Sequence, residues 1–517
     1  MAHALVGGAA GVVWLVLPGM TSGADAPVAI KEPAPAVSAV SAVSALPAAE
    51  DETSGADLVL PLVAVGAVGV AAGYGYVRRV RRARRRTTPG GVGSPPPRAA
   101  SPPLAGLDER ACAALVEADD RLRAARAELG FAEALFGPGA VTPFRRATRD
   151  AENELAAAFR MRQRYDEGVP AEEAERRHAL AGIVGRCVEA GRRLDAVAGD
   201  FDRLRGLEGQ GVDAALGVAE ARFRELAGRT GAVDAVLAGL GARYAPTASA
   251  AVTGSVEQAK DRLLFATVRL NQARQAADSG QPERAARQLR AAEGAVAQAA
   301  VLVEGVDRLA GELREAEGLV AAALTGAEAE LADARGRPDA AEGAGGEGKD
   351  PGAAARLPHA DAVLAAVRQE STGRQPGDPI GVLRRIVRAT APLASGRAGV
   401  LAAAGLVVAR SSTAAAADFV TTHRGAVSAT PRTRLAEAER LLAAGDPTTR
   451  AQADTLALEA LELSERDVRA HGNPYTGSAG AGRTTAGTGG AVLGGVVPAD
   501  DPENGPPAGF GRPTTPG

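Results

Sequence analysis

Apolar residues recur at three- and four-residue spacing through the middle of this chain, and that pattern predicts helices. Leu180, Ile183, Cys187, Ala190, Leu194, Val197, Phe201 and Leu204 form one such series, long enough to make a single buried stripe along a helix of several turns. Leu216, Phe223, Leu226, Val233, Leu237, Leu240 and Tyr244 continue the period after Gly209-Gln210-Gly211, where a break is expected. A third series (Val256, Ala259, Leu263, Ala266, Leu270, Ala273) and a fourth (Leu289, Ala292, Val296, Ala299, Val303, Val306, Ala310, Leu313) follow across Pro246 and Gly280. Thr142-Pro143 and Pro170 mark helix starts, because proline at the first helical position sacrifices no hydrogen bond. The spacing predicts about five or six long helices between Asp108 and Arg337, and connections this short make neighbouring helices antiparallel. The expected fold class is all-α: a long antiparallel helical bundle with coiled-coil-like hairpins.

Periodicity lapses over 338–356, which reads as a flexible linker, and returns over 357–470 as helical hairpins. Arg269-Leu270, Ala273, Gly280 and Pro282 match Arg434-Leu435, Ala438, Gly445 and Pro447 at identical offsets, each set reading as helix, Gly-x-Pro turn, helix. A looser third copy runs through Val363-Leu364, Gly377-Asp378-Pro379 and Val382-Leu383. A tetratricopeptide array would need a fixed period and its aromatic signature, so bundle hairpins are the better reading. From 471 to 517 glycine, alanine, threonine and proline dominate, and disorder is expected.

The N-terminal region has a different character. The uncharged run Ala4–Leu17 with Ser22-Gly23-Ala24 behind it has the pattern of a signal peptide over 1–24, and 25–57 reads as a disordered extracytoplasmic linker. Leu58–Val77 carries no charge and, as a helix, covers about 30 Å of hydrocarbon, so one transmembrane helix is expected. Arg78, Arg79, Arg81, Arg82, Arg84, Arg85 and Arg86 follow at once, while Glu50, Asp51, Glu52 and Asp57 precede it. The positive-inside rule then places the N-terminus outside the plasma membrane and the helical region in the cytoplasm. The arginines read as a stop-transfer anchor to anionic lipid, since no aromatic follows Tyr76 until Phe131 to stack a nucleic acid base. Pro, Gly and Ser over 87–107 complete a spacer. Within the span, Gly69 and Gly73 have the spacing of a helix-dimer motif, which leaves a homo-oligomer open.

Composition narrows the chemistry. Aromatics are 3% of 517 residues, and glycine (64) with a net charge of −3 argues against both a β-sandwich and a basic nucleic-acid binder. Cys112 and Cys187 exclude a disulfide scaffold; Cys187 sits on a helical seam. His3, His178, His359, His423 and His471 have no partner at metal-ligand spacing, and His423-Arg424 reads as a surface cap. Gly482 to Gly487 has the first spacing of a phosphate-binding loop, but Thr488 stands where lysine is required. Runs such as Glu172, Glu173, Glu175, Arg176 and Arg177 read as solvated helix faces. No catalytic, cofactor or metal residue is expected.

The string Ala56-Asp57-Leu58-Val59-Leu60-Pro61, the arginine stop-transfer, Thr87-Thr88-Pro89-Gly90-Gly91, Phe201-Asp202-Arg203-Leu204-Arg205, and the runs over 256–275, 290–300, 418–427 and 432–440 carry a resemblance. So does Gly472-Asn473-Pro474-Tyr475. Together they resemble the transmembrane and cytoplasmic parts of actinobacterial TPM-domain membrane proteins. The resemblance implies a signal peptide, an extracytoplasmic TPM domain, one span and a long cytoplasmic helical region. Residues 25–57 are too few for an α/β TPM domain, so the phosphatase-like chemistry of that domain has no residue here onto which it is carried. The expected function is that of a non-enzymatic single-pass membrane protein whose partners are the lipid bilayer and proteins bound by the cytoplasmic helices. The alternative is a truncated member of that family whose full-length form carries a hydrolase domain.

Overall fold

The computed structural model describes residues 103–207, 209–336, 351–373, 376–393, 399–471 and 510. These form eleven α-helices and two short 3-10 segments, with no strand among the described residues. In chain order the helices are α1 (Leu104–Ala140), α2 (Thr142–Glu167), α3 (Glu173–Arg205), α4 (Gly211–Arg243), α5 (Ser255–Asp278), α6 (Pro282–Arg335), α7 (Pro351–Ser371), α8 (Pro379–Thr390), α9 (Gly399–Thr422), α10 (Ala429–Ala444) and α11 (Arg450–Ala470). The all-α class expected from the periodicity is what folds. The predicted span, its seven arginines and the signal and tail segments lie outside the described residues, apart from Phe510.

Local sequence accounts for the joints. Proline opens α6 and α8 at or next to the first position, and Asp378 caps α8 by accepting the Gly381 amide at 2.9 Å. The expected start at Pro170 is corrected: Pro170 lies in the loop and α3 begins at Glu173. Two glycines are required by geometry. Gly206 ends α3 in the left-handed region (φ +55°), and a Cβ on Gly211 would stand 2.2 Å from the Arg205 carbonyl oxygen. Gly280 and Gly445, the two glycines matched by the internal repeat, both have positive φ and both join antiparallel helices.

Helix α6 is the spine. Its 54 residues run about 80 Å at 1.5 Å per residue, and α4, α5, α7, α8 and α9 all pack along it. Alanine lines the α5–α6 contact: Ala259, Ala266 and Ala273 of α5 and Ala285, Ala292 and Ala299 of α6 are all fully buried. A second core joins α1, α2 and α3 around Leu115, Phe144, Leu155, Leu180, Ile183 and Phe201. Helices α9, α10 and α11 close two smaller clusters.

The predicted seams are nearly those observed, with one drift. On α3, Leu180 through Leu194 and Phe201 are buried, but Val197 is only half-buried and Ala198 takes its place. Farther on, Leu204 is half-buried while Arg205 turns fully inward. A seam read at 3.5 residues per turn slips about 20° per heptad on a straight helix of 3.6, and α3 is long enough for the stripe to move by one residue.

One described helix, α9, is long and apolar enough to cross a membrane (mean hydropathy 1.5 over its best window). Half of that stretch is buried against the rest of the bundle. Its Asp418 is ion-paired with Arg308 of α6, and Arg450 donates to its Ala402 carbonyl at 2.6 Å.

Candidate functional site: buried charge at the helix junctions

Charged side chains are buried where helices meet. Each stands three or four residues from an apolar seam residue, so the helical period carries it inward. Arg205 of α3 follows Phe201 by four, and Glu293 of α6 follows Leu289 by four. They meet in a bidentate pair, Arg205 Nη1 to Glu293 Oε2 at 3.0 Å and Nη2 to Oε1 at 2.5 Å, with both side chains essentially inaccessible. Burial works against the Arg205 charge, and Glu293 overrides it to hold the guanidinium protonated.

Glu128 of α1 completes this junction from a longer distance. Its Oε2 stands 4.0 Å from Arg205 and 3.9 Å from Arg290, and it accepts no hydrogen bond. Arg290 itself donates to Asp202 at 3.1 Å. Burial pushes the Glu128 carboxyl up to about 7, against the pull of Arg290 and Arg205. A carboxyl whose folded value is raised stabilises the fold while it stays neutral. Stability from this group is therefore fully present below its ordinary value near 4.5 and is lost as pH rises through about 7. Glu128→Gln keeps the neutral shape at every pH. In thermal melts of the full chain it is expected to match the parent at pH 5 and to melt several degrees higher at pH 8, since a shift of this size is worth on the order of 3 kcal/mol. Equal melting points at pH 8 would show that Glu128 is solvated there.

A second junction ties α1 to α10. Arg432, fully buried, donates from Nη1 to Asp119 (2.6 Å) and Asp120 (2.7 Å), from Nη2 to the Arg424 carbonyl (2.6 Å) and from Nε to the Val427 carbonyl (3.2 Å). Arg123 reaches Asp119 at 2.9 Å and Thr421 Oγ1 at 2.7 Å. Burial alone would raise the Asp119 carboxyl, but Arg123 and Arg432 bring it down to about 2. Its contribution has the opposite sign to that of Glu128, being present above pH 4 and lost as pH falls toward 2. A third junction joins α8 to α11: Arg384 grips both oxygens of buried Asp454 (3.0 and 3.1 Å) and Arg388 adds 2.8 Å to one of them.

His423 corrects a sequence expectation. It is buried, not a surface cap, because Thr422 and His423 tuck beneath the C-terminus of α9. The ring stacks on Phe419 (centroids 4.3 Å apart), Nδ1 lies 3.2 Å from the Phe419 carbonyl, and burial lowers its titration to about 4. Beside it, fully buried Arg262 donates to Gln298 Oε1 at 3.0 Å and to the Thr422 carbonyl at 2.9 Å, satisfying an orphan helix-end acceptor. Cys187 is a buried seam residue whose thiol burial pushes up to about 12, and Cys112 is half-buried. His178 and His359 are exposed and far from one another in the chain. Among the described residues no group of His, Cys, Asp or Glu has the arrangement of a metal site.

These features define an all-α bundle whose interior is mostly alanine and leucine and is cross-tied by buried arginine–carboxylate pairs. The chain is 28% identical over 437 residues, 80% of its length, to UPF0603 proteins from two strains of Mycobacterium tuberculosis, CDC 1551 / Oshkosh and ATCC 25618 / H37Rv. That match covers 64% of each relative, so the chain spans less than two thirds of their length. No known family profile matches the chain. No solved structure matches it either.

Proposed function

We propose that this chain is a non-enzymatic, single-pass plasma-membrane protein whose cytoplasmic helical bundle is a scaffold that binds protein partners. The anchor is Leu58–Val77, held at the inner surface by Arg78, Arg79, Arg81, Arg82, Arg84, Arg85 and Arg86 against anionic lipid. The observation that carries the reading is how the bundle uses its buried charge. Arg205 with Glu293, Arg432 with Asp119, and Arg384 with Asp454 join one helix to another, where an active site would bring titratable groups together on an open cleft. Buried pairs of this kind add little net stability, yet they penalise every helix register that leaves one charge unmatched. The bundle is thereby suited to holding a fixed surface. A topology reporter fused after Gly91 tests the placement of that bundle.

A second reading has one observation in its favour. The relatives extend well beyond the matched region, which leaves room in them for a further domain. On that reading the chain is a shortened member of a TPM-domain family whose full-length form carries an extracytoplasmic hydrolase, and in-frame coding sequence for such a domain upstream of Met1 would decide for it.

A further inference from the structure

All nine phenylalanines of the chain lie among the described residues, and one of them, Phe136 at the turn between α1 and α2, is exposed. Two ion pairs, Arg126–Glu152 at 2.8 Å and Glu133–Arg145 at 2.7 Å, show that these helices run antiparallel, with the second pair at the neck of the turn. Beyond that neck lie eleven residues without a charge, 134–144. The chain reverses at Gly137, whose φ of +79° interrupts the helix before Pro138. Phe136, Pro138, Gly139 and Ala140 face solvent, whereas Val141 and Phe144 are buried, and Phe144 meets Phe201 of α3 edge to face at 5.1 Å. The second half of the turn is thus held to the core while the first half points outward. No acidic residue occurs between Glu133 and Asp150, but three arginines do. Arg145 is taken by Glu133; Arg146 and Arg149 are exposed, three residues apart on α2, and have no carboxylate partner among the described residues. They stand about 6 and 10 Å along the helix from Thr142, within roughly a Debye length of anything the tip touches.

We propose that the α1–α2 turn is a membrane contact of the bundle: Phe136 enters the interfacial layer of an anionic leaflet, and Arg146 and Arg149 hold the turn there against lipid phosphates. The inference rests on the single-pass reading for the presence of a bilayer beside the bundle, and it adds a lipid site on the bundle itself. A single exposed apolar residue is ordinary on a protein surface. The surroundings of Phe136 set it apart. An aromatic ring favours the water–lipid boundary, an uncharged turn enters it without desolvating a charge, and two free cations stand behind at headgroup depth. A standard protein interface engages about 20–30 residues a side, and this tip offers far fewer. Its charge complements an anionic lipid surface.

The test uses the full chain, with Trp14→Phe removing its one native tryptophan and Phe136→Trp placing a fluorescent reporter at the tip. The protein is reconstituted into vesicles of phosphatidylcholine alone or of an equal mixture with phosphatidylglycerol, both brominated near the top of the acyl chain, and each sample is floated on a density gradient. In the mixed vesicles the reporter is expected to shift to the blue and to be quenched by the bromolipid; in phosphatidylcholine alone it is expected to keep its water-exposed emission. Adding Arg146→Gln and Arg149→Gln is expected to lower the inserted-to-free ratio about 25-fold, roughly fivefold for each arginine near the surface, with helicity by circular dichroism unchanged. An unquenched reporter in mixed vesicles that carry the chain upward overturns the tip and leaves the anchor standing, the surface then falling to a protein partner. Equal quenching in both vesicle types, or quenching unmoved by the two arginine changes, overturns it as well, since the arginines would then hold nothing. A chain that floats with neither vesicle overturns the anchor and the tip together.

Discussion

Replacing Arg432 with methionine in the full chain is expected to lower its stability by about 3–5 kcal/mol, the usual cost of removing one partner from a buried ion pair. The size follows from what the guanidinium leaves behind. Asp119 and Asp120 on α1 lose the same donor, and the carbonyls of Arg424 and Val427 lose theirs. Methionine fills much of the volume and matches none of the four. Arg123 still reaches Asp119, so the loss is not that of an isolated charge. The check is the urea midpoint of the variant at pH 7 with an unchanged slope. A shift corresponding to less than about 1 kcal/mol would mean that water enters the α1–α10 junction and that the pair is a surface contact.

Phe201→Ala is expected to cost a similar amount, about 3–5 kcal/mol, as a large-to-small change in a packed core. Phe201 is fully buried, with Phe144 and Phe510 on its ring. The upper half of that range is expected, because the alanine-rich helices around it have few large side chains able to shift into the hole. An unmoved melting temperature would place the α3 stripe in solvent.

Much of this fold was legible in the spacing of apolar residues. The α5 series from Val256 to Ala273 is buried at every position, and six long helices occupy the region between Asp108 and Arg337. The period, the prolines and the glycines are local signals, and they set local structure. The buried charge was not legible in the same way, although its signal was present. Asp119 follows Leu115 by four, Glu128 follows Ala125 by three and Arg262 follows Ala259 by three, so each charge falls on the inward stripe. Reading charge runs as solvated faces hides this, since burial of an arginine depends on which carboxylate a distant helix brings to it. Asp119 and Arg432 are 313 residues apart, and nothing within either helix specifies their meeting. The same holds for His423: sequence places it at a helix end, and the packing of distant helices, with Arg262 of α5 on Thr422 and Arg123 of α1 on Thr421, covers that end. Phe510 was invisible because the composition around it, glycine and proline, promises no packing at all.

Polar contacts between helices give the helical surface a fixed register without making it rigid through large side chains. Alanine-to-alanine contacts between α5 and α6 tolerate sliding along the axis, because small side chains interlock weakly. The hydrogen bonds of Arg262 to Gln298 (3.0 Å) and of Arg269 to Gln288 (2.9 Å) tie these two helices and oppose that sliding, since a shift of one turn would part each donor from its acceptor. The scaffold role proposed above would require exposed side chains in constant relative positions, and this arrangement would supply that requirement from the interior.

Whether that scaffold is held at the inner face of a membrane is the centre of the account, and a pair of reporters fused after Gly91 in the intact chain measures it most directly. Alkaline phosphatase folds actively only outside the cytoplasm, whereas a fluorescent protein of the cytoplasmic type matures inside. With Leu58–Val77 spanning the bilayer and seven arginines behind it, the account predicts a fluorescent fusion that sediments with membranes and an inactive phosphatase fusion. An active phosphatase after Gly91, or a fluorescent fusion found in the soluble fraction, would contradict it.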